Sequence, residues 1–293
     1  MNQELPWVRK PGVPVMKETR AGEVRYLQFP LLLKWQDVAV HGFSTRLGGA
    51  SRGVYASMNF SFSRGDDPDC VRENYRRMGE ALGVDPARMV LSYQTHTTRV
   101  RRVGEEDAGK GVLRERDYRD VDGLITDVPG ITLVTFYADC VPLYFLDPLH
   151  RAIGLSHSGW RGTVNRMGRE TLAAMKQAFG SRPEDMLCCI GPSICQDCYE
   201  VGEEVAQAFA GAFGKESGTM LIKTETAGKY RLDLWKANET VLREAGVPQE
   251  QIQVTDLCTR CNPRYLFSHR AMGEKRGNLA AFLCLRPQNG PAY

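Results

Sequence analysis

Apolar residues recur along this chain in two rhythms. Short runs rich in β-branched and aromatic residues, bounded by Gly, Pro or Asp, predict strands over 38–45, 89–93, 131–138, 142–147, 151–157, 187–191, 252–256 and 278–285. Between Val164 and Phe179, the residues Val164, Met167, Met175 and Phe179 share one helical face, and Gly180 is placed to stop the helix. Leu234, Ala237, Val241 and Ala245 do the same over 233–245, with Gly246 beyond. Weaker helical patterns cover 69–82 and 201–213. Three apolar runs between Ile131 and His157 are parted only by short breaks, which suits antiparallel or mixed sheet better than repeated βαβ crossovers. With no Pro/Ser linker and no internal repeat, the pattern predicts one α/β domain of mixed sheets flanked by helices.

Composition narrows the class of protein. Of 293 residues, 42% are hydrophobic and 25% charged, with a formal charge of +3. That is an ordinary globular balance, too weakly basic to argue for nucleic acid. The start, "MNQELPWVRKPG", lacks the apolar core of a signal peptide, and no run approaches a membrane span. Nine cysteines in such a chain point to reduced thiols and a cytoplasmic location, since disulfides belong to oxidising compartments.

Candidate chemistry gathers where strands stop. "LSHSGWRGTV" puts His157 at a strand end, beside Arg161 and ahead of a helix start, a corner that favours an anion. A plain turn with a solvated arginine explains the same stretch. His96 in "SYQTHTTRV" and Cys140 in "FYADCVPLYF" occupy similar positions. Scaffolds display functional side chains at such ends, although a free thiol most often packs as a small hydrophobe. Two imidazoles and a thiolate with an open fourth position form a catalytic zinc sphere; nothing in linear spacing shows that they converge. Asp139, next to Cys140, is an acid–base candidate by position only.

At these residues the chain resembles a known family. "HGFSTRLGGAS", "QTHTTRV", "DVDGLITDVPGI", "ADCVPLYFLD", "HSGWRGT", "IGPSICQDCYEVGEEV" and "SHRAMGEKRGNLAAF" follow one another from about His41 to Phe282, and together they are similar to the YfiH family. Its members have been called bacterial polyphenol oxidases, laccase-domain proteins and, more recently, purine nucleoside phosphorylases. The resemblance implies one YfiH-like domain over 1–293, with 1–20 as an N-terminal extension and two mixed β-sheets packed between helices. It implies zinc-dependent phosphorolysis of adenosine, inosine and guanosine, with adenosine deamination and methylthioadenosine phosphorolysis besides. The family's metal ligands fall on His96, Cys140 and His157, which would carry the catalysis. The partners would be a purine nucleoside and inorganic phosphate, with no nucleic acid and no membrane. Phosphate needs positive charge, for which Arg46, Arg161 and Arg270 are candidates; His41 is a further one for lining the pocket. His150 and His269 are not expected to be ligands. One departure stands out: "KRGN" (275–278) occupies the place of an expected Thr-Gly-Arg, leaving Arg276 as the available substitute.

Three other readings use the same residues. Cys140 with His157 or His96 as base would make a cysteine hydrolase, including an amidase that edits peptidoglycan precursors. Copper at the His₂Cys set would make a polyphenol oxidase, although five histidines in all are too few for a full multicopper centre. Cys195-x-x-Cys198 with Cys258-x-x-Cys261 would make a structural zinc site in a binding module.

Overall fold

The structure is a computed structural model, and it describes residues 6–10 and 15–288. Its strands are β1 (Lys17–Ala21), β2 (Val24–Gln28), β3 (Ala39–Ser44), β4 (Met89–Leu91), β5 (Val100–Arg102), β6 (Gly123–Thr126), β7 (Thr132–Tyr137), β8 (Val141–Asp147), β9 (Ala152–Ser158), β10 (Leu187–Ile190), β11 (Glu200–Gly202), β12 (Leu221–Lys223), β13 (Lys229–Leu232), β14 (Ile252–Val254) and β15 (Leu279–Leu285). The helices are α1 (Pro30–Leu33), α2 (Pro68–Leu82), α3 (Trp160–Val164), α4 (Met167–Phe179), α5 (Glu203–Phe213), α6 (Leu234–Glu244) and α7 (His269–Met272).

Two six-stranded sheets form the frame, in the orders β1-β2-β3-β15-β7-β4 and β14-β10-β8-β9-β6-β5. Each is mixed. The pairs β4/β7, β10/β14 and β5/β6 are parallel and the remaining pairs antiparallel. The period-two rhythm explains how they stack. On β8, Tyr144 and Leu146 enter the core shared with the first sheet, whereas Val141, Leu143 and Phe145 face the helical layer. On β15, Leu279, Ala281 and Leu283 face that shared core, and Phe282 packs towards α2. Helices α4 and α6 cover the second sheet through Met175, Val241 and Leu242, and α2 covers the first through Tyr75 and Met78. The order is helix, sheet, sheet, helix, an α+β arrangement with the two mixed sheets packed between helices as expected.

Capping sets the helix ends. Asp67 accepts from the Asp69 amide (2.9 Å) ahead of Pro68, and Asp233 accepts from Lys236 (2.9 Å). The single helix expected over 164–179 is instead two. Arg166 sits between them in the left-handed region (φ 62°), because its guanidinium is tied to Ala212 O (2.7 Å) and Glu244 (2.6 Å) and lies over the Phe213 ring. From Lys17 the chain pairs with β2 as a hairpin, a strand hidden in the sequence by its charged residues. Among the described residues no helix is long and apolar enough to cross a membrane.

Candidate metal centre

The site forms at one end of the two stacked sheets. Antiparallel β8 and β9 pair Val141 with Ser158 and Pro142 with His157. The residue that enters β8, Cys140, therefore lies beside the imidazole that ends β9. His96 arrives from the loop after β4, in the left-handed conformation (φ 65°). The three donor atoms, two imidazole nitrogens and the Cys140 Sγ, all lie within 4.8 Å of one another. His157 is buried, Cys140 half-buried and His96 exposed, so the cluster opens to one side. Gly159 explains its own presence: a Cβ there would stand 3.1 Å from both Cys140 Sγ and His96 Cδ2.

Asp122, just ahead of β6, organises the cluster. Its Oδ1 meets His157 Nδ1 at 2.8 Å and accepts from the His96 amide at 3.1 Å. Its Oδ2 accepts from the Thr95 and Thr97 amides and from Thr97 Oγ1, each at 3.0 Å. One fully buried carboxylate thus orients one imidazole and holds the loop of the other, the usual support of a histidine ligand. Burial opposes its charge, but His157 and these amides prevail and hold its carboxyl below the usual range. In the sequence Asp122 is one of three aspartates in "DVDGLITD", and its place just before a strand is the signal available there.

Charge is coupled across the cluster. Burial would push the Cys140 thiol up, yet the adjacent imidazoles bring it down to about 6. Burial would likewise depress His157, but the Cys140 thiolate and Asp122 raise it to about 9. Asp139 differs in kind. Its two oxygens accept from Thr259 Oγ1 (2.6 Å) and the Arg270 amide (2.7 Å), so it ties two loops together beside Cys140.

Two cavities meet at the cluster and share His96, Cys140, Arg64 and Arg276. The larger, about 570 Å³, is lined by the partly exposed aromatic residues Tyr93 and Phe136. The smaller, about 350 Å³, holds Trp160, Arg161, Tyr199 and Arg270. Arg161 lies 4.4 Å over the Trp160 ring, and Arg270 donates to Glu200 O.

Arg276 is 5% exposed, and its Nε has no hydrogen-bond partner. Burial lowers it to about 10, which leaves it cationic at neutral pH. Arg64 joins it, a residue the sequence did not mark.

Two expected residues are elsewhere. His41 is buried between the sheets, where its Nε2 accepts from the Phe29 amide (2.8 Å); burial pushes it down to about 3, and it lines neither cavity. Arg46 is spent on Ala56 O (2.7 Å) and Pro263 O (2.9 Å), over the Phe267 ring, bracing loops behind the site. His150 pairs with Asp147 (2.7 Å) and His269 lies 3.7 Å from Glu274; neither belongs to the cluster.

The family described as "Multi-copper polyphenol oxidoreductase laccase" matches residues 40–286. The chain belongs to it. This laccase-like, YfiH family includes a purine nucleoside phosphorylase of Bacteroides thetaiotaomicron, 38% identical over 256 residues, covering 87% of this chain and 94% of the relative. A protein named adenosine deaminase RL5, from an unknown prokaryotic organism, is 35% identical over 240 residues, 81% of this chain and 91% of its own. The crystal structure of the YfiH protein of Bacillus licheniformis matches with a TM-score of 0.86 at 31% identity, covering 92% of this chain and 99% of that one. The present YfiH-family chain is an enzyme.

Proposed function

We propose that this enzyme is a zinc-dependent purine nucleoside phosphorylase acting on adenosine, inosine and guanosine, with adenosine deamination and methylthioadenosine phosphorolysis as side activities of the same site. One observation carries the reading: the Arg276 guanidinium lines both of the cavities that meet at the His96, Cys140 and His157 donors. A cationic guanidinium beside an open metal sphere suits phosphate and nucleoside together. The relatives named for purine nucleoside phosphorolysis and adenosine deamination agree with it.

The donor set fits the implied metal. Two neutral imidazoles and one thiolate suit zinc, and Asp122 supplies the carboxylate that such a histidine needs. Zinc held there would supply Lewis-acid polarisation at its open position. The chain's own residues do the rest. Arg276 and Arg64 gather phosphate where the two cavities join, Arg161 and Arg270 add positive charge, and the partly exposed Tyr93 and Phe136 provide ring faces for the purine. Two lobes meeting at the ligands suit a phosphate approaching the ribose from the side opposite the base. Only two of the five histidines join the cluster, too few for a multicopper centre, although one copper ion could occupy the same donors. The free thiols suit a cytoplasmic location.

A cysteine hydrolase also has an observation in its favour, because Cys140, His157 and Asp122 line up as nucleophile, base and orienting carboxylate. Adenosine incubated with and without phosphate separates the readings. Phosphorolysis yields ribose-1-phosphate and adenine only when phosphate is present, and Cys140→Ala abolishes it. Turnover unchanged in that variant refutes the assignment. Activity indifferent to chelators but lost to iodoacetamide would favour the hydrolase.

A further inference from the structure

A second group of donors lies outside the site just described. Cys195 and Cys198 bracket a turn after β10, Cys258 and Cys261 a turn after β14, and the four Sγ atoms lie within 4.8 Å of one another. Cys198 and Cys261 are 3.5 Å apart. We propose that these four thiolates bind a single structural zinc ion, which clips the two turns together.

Geometry favours one ion. Four sulfurs held tetrahedrally at about 2.3 Å from zinc are about 3.8 Å from each other, inside the range seen. An iron–sulfur cluster would hold them further apart, because its inorganic core lies between them. Each pair is spaced Cys-x-x-Cys, so that one tight turn presents both thiols of the pair, as in zinc knuckles.

The surroundings offset the charge. A divalent ion on four thiolates is doubly negative. The Lys10 ammonium is bonded to Asp197, inside the first Cys-x-x-Cys turn, at 2.7 Å, and Arg260 lies inside the second. The Cys195 amide donates to Cys258 Sγ at 3.3 Å. Such N–H···S bonds and cations are what a tetrathiolate centre needs.

The clip would act on the enzyme's cavity without touching its reaction. Ile194, next to Cys195, donates to Asp139 O (3.0 Å), and Thr259, next to Cys258, donates to the Asp139 carboxylate. Asp139 precedes Cys140, and Ile194 and Tyr199 line the smaller cavity. The ion would therefore hold the wall of that lobe in register, whatever chemistry the open site performs.

Zinc per chain, measured by mass spectrometry on full-length protein purified without chelator, tests this. The wild type should carry about two equivalents, Cys140→Ala about one, and Cys258→Ser/Cys261→Ser should lose one of the two. Cobalt substituted into Cys140→Ala should show the intense charge-transfer and visible bands of a tetrahedral tetrathiolate; this decides the matter even if the double variant does not fold. One equivalent in both wild type and Cys140→Ala would support the clip while sinking the metal in the proposed catalytic site. Cys140→Ala taking up neither zinc nor cobalt, or a Cys198–Cys261 disulfide in place of metal, would overturn the proposal.

Discussion

Replacing Asp122 by asparagine tests the organisation of the site with little change in volume. The carboxylate accepts five hydrogen bonds: one from His157 Nδ1, one each from the amides of Thr95, His96 and Thr97, and one from Thr97 Oγ1. An amide keeps one oxygen and turns an NH₂ towards donors. If its oxygen stays with His157 and His96, the Thr95 and Thr97 amides face an N–H, while the Thr97 hydroxyl rotates to accept. A buried donor left unpaired costs about 1–3 kcal/mol. Thr95 is exposed and Thr97 half-buried, so water offsets part of this, and about 1–2 kcal/mol of loop stability is the expected loss. For zinc, losing a carboxylate behind a histidine ligand should weaken binding 10- to 100-fold, about 1.4–2.8 kcal/mol. Competition against a fluorescent zinc chelator measures the affinity, and phosphorolysis at limiting and saturating zinc measures its consequence. Asp122→Asn should lose activity chiefly at limiting zinc and regain part of it in excess metal. Wild-type zinc affinity together with full turnover at limiting zinc would show that Asp122 does not position the ligands.

Three further outcomes are expected. Arg276→Gln removes the buried cation that faces both cavities, and should raise the KM for phosphate at least about tenfold, the scale of a lost charge-assisted hydrogen bond, with a smaller change in the KM for nucleoside; equal changes in both would remove phosphate from Arg276. In metal-free protein, iodoacetamide alkylation of Cys140 should rise with a midpoint near pH 6, where an ordinary cysteine would wait until about 8.5. The pair's stabilising contribution should fall away as pH drops through about 6, when the thiolate is protonated, and again as it rises through about 9, when His157 loses its proton. A midpoint at the ordinary value would mean that the imidazoles do not reach the thiol.

Much of the fold is legible in local pattern, because burial imposes its period on each element separately. The runs ending at His157 and beginning after Cys140 become β9 and β8 within a residue, and Leu234–Glu244 is the helix its apolar face announces. The β1–β2 hairpin was not legible, since Lys17, Glu18, Arg20 and Arg25 mask its alternation at an edge where one face meets water. Nor was the break at Arg166, which answers to Ala212, Phe213 and Glu244.

For the site, residue chemistry and resemblance together named His96, Cys140 and His157, three polar side chains stranded where apolar runs stop. Their meeting is decided by the antiparallel pairing of β8 with β9 and by Asp122, which joins segments 26 and 35 residues apart. Tertiary structure alone also sent His41 into the core and Arg46 into loop bracing, brought Arg64 and Arg276 to the cavities, and gathered four cysteines from turns 63 residues apart. Periodicity records which face of an element avoids water. It carries no record of which distant residue lies across from that face, because that depends on how whole layers stack.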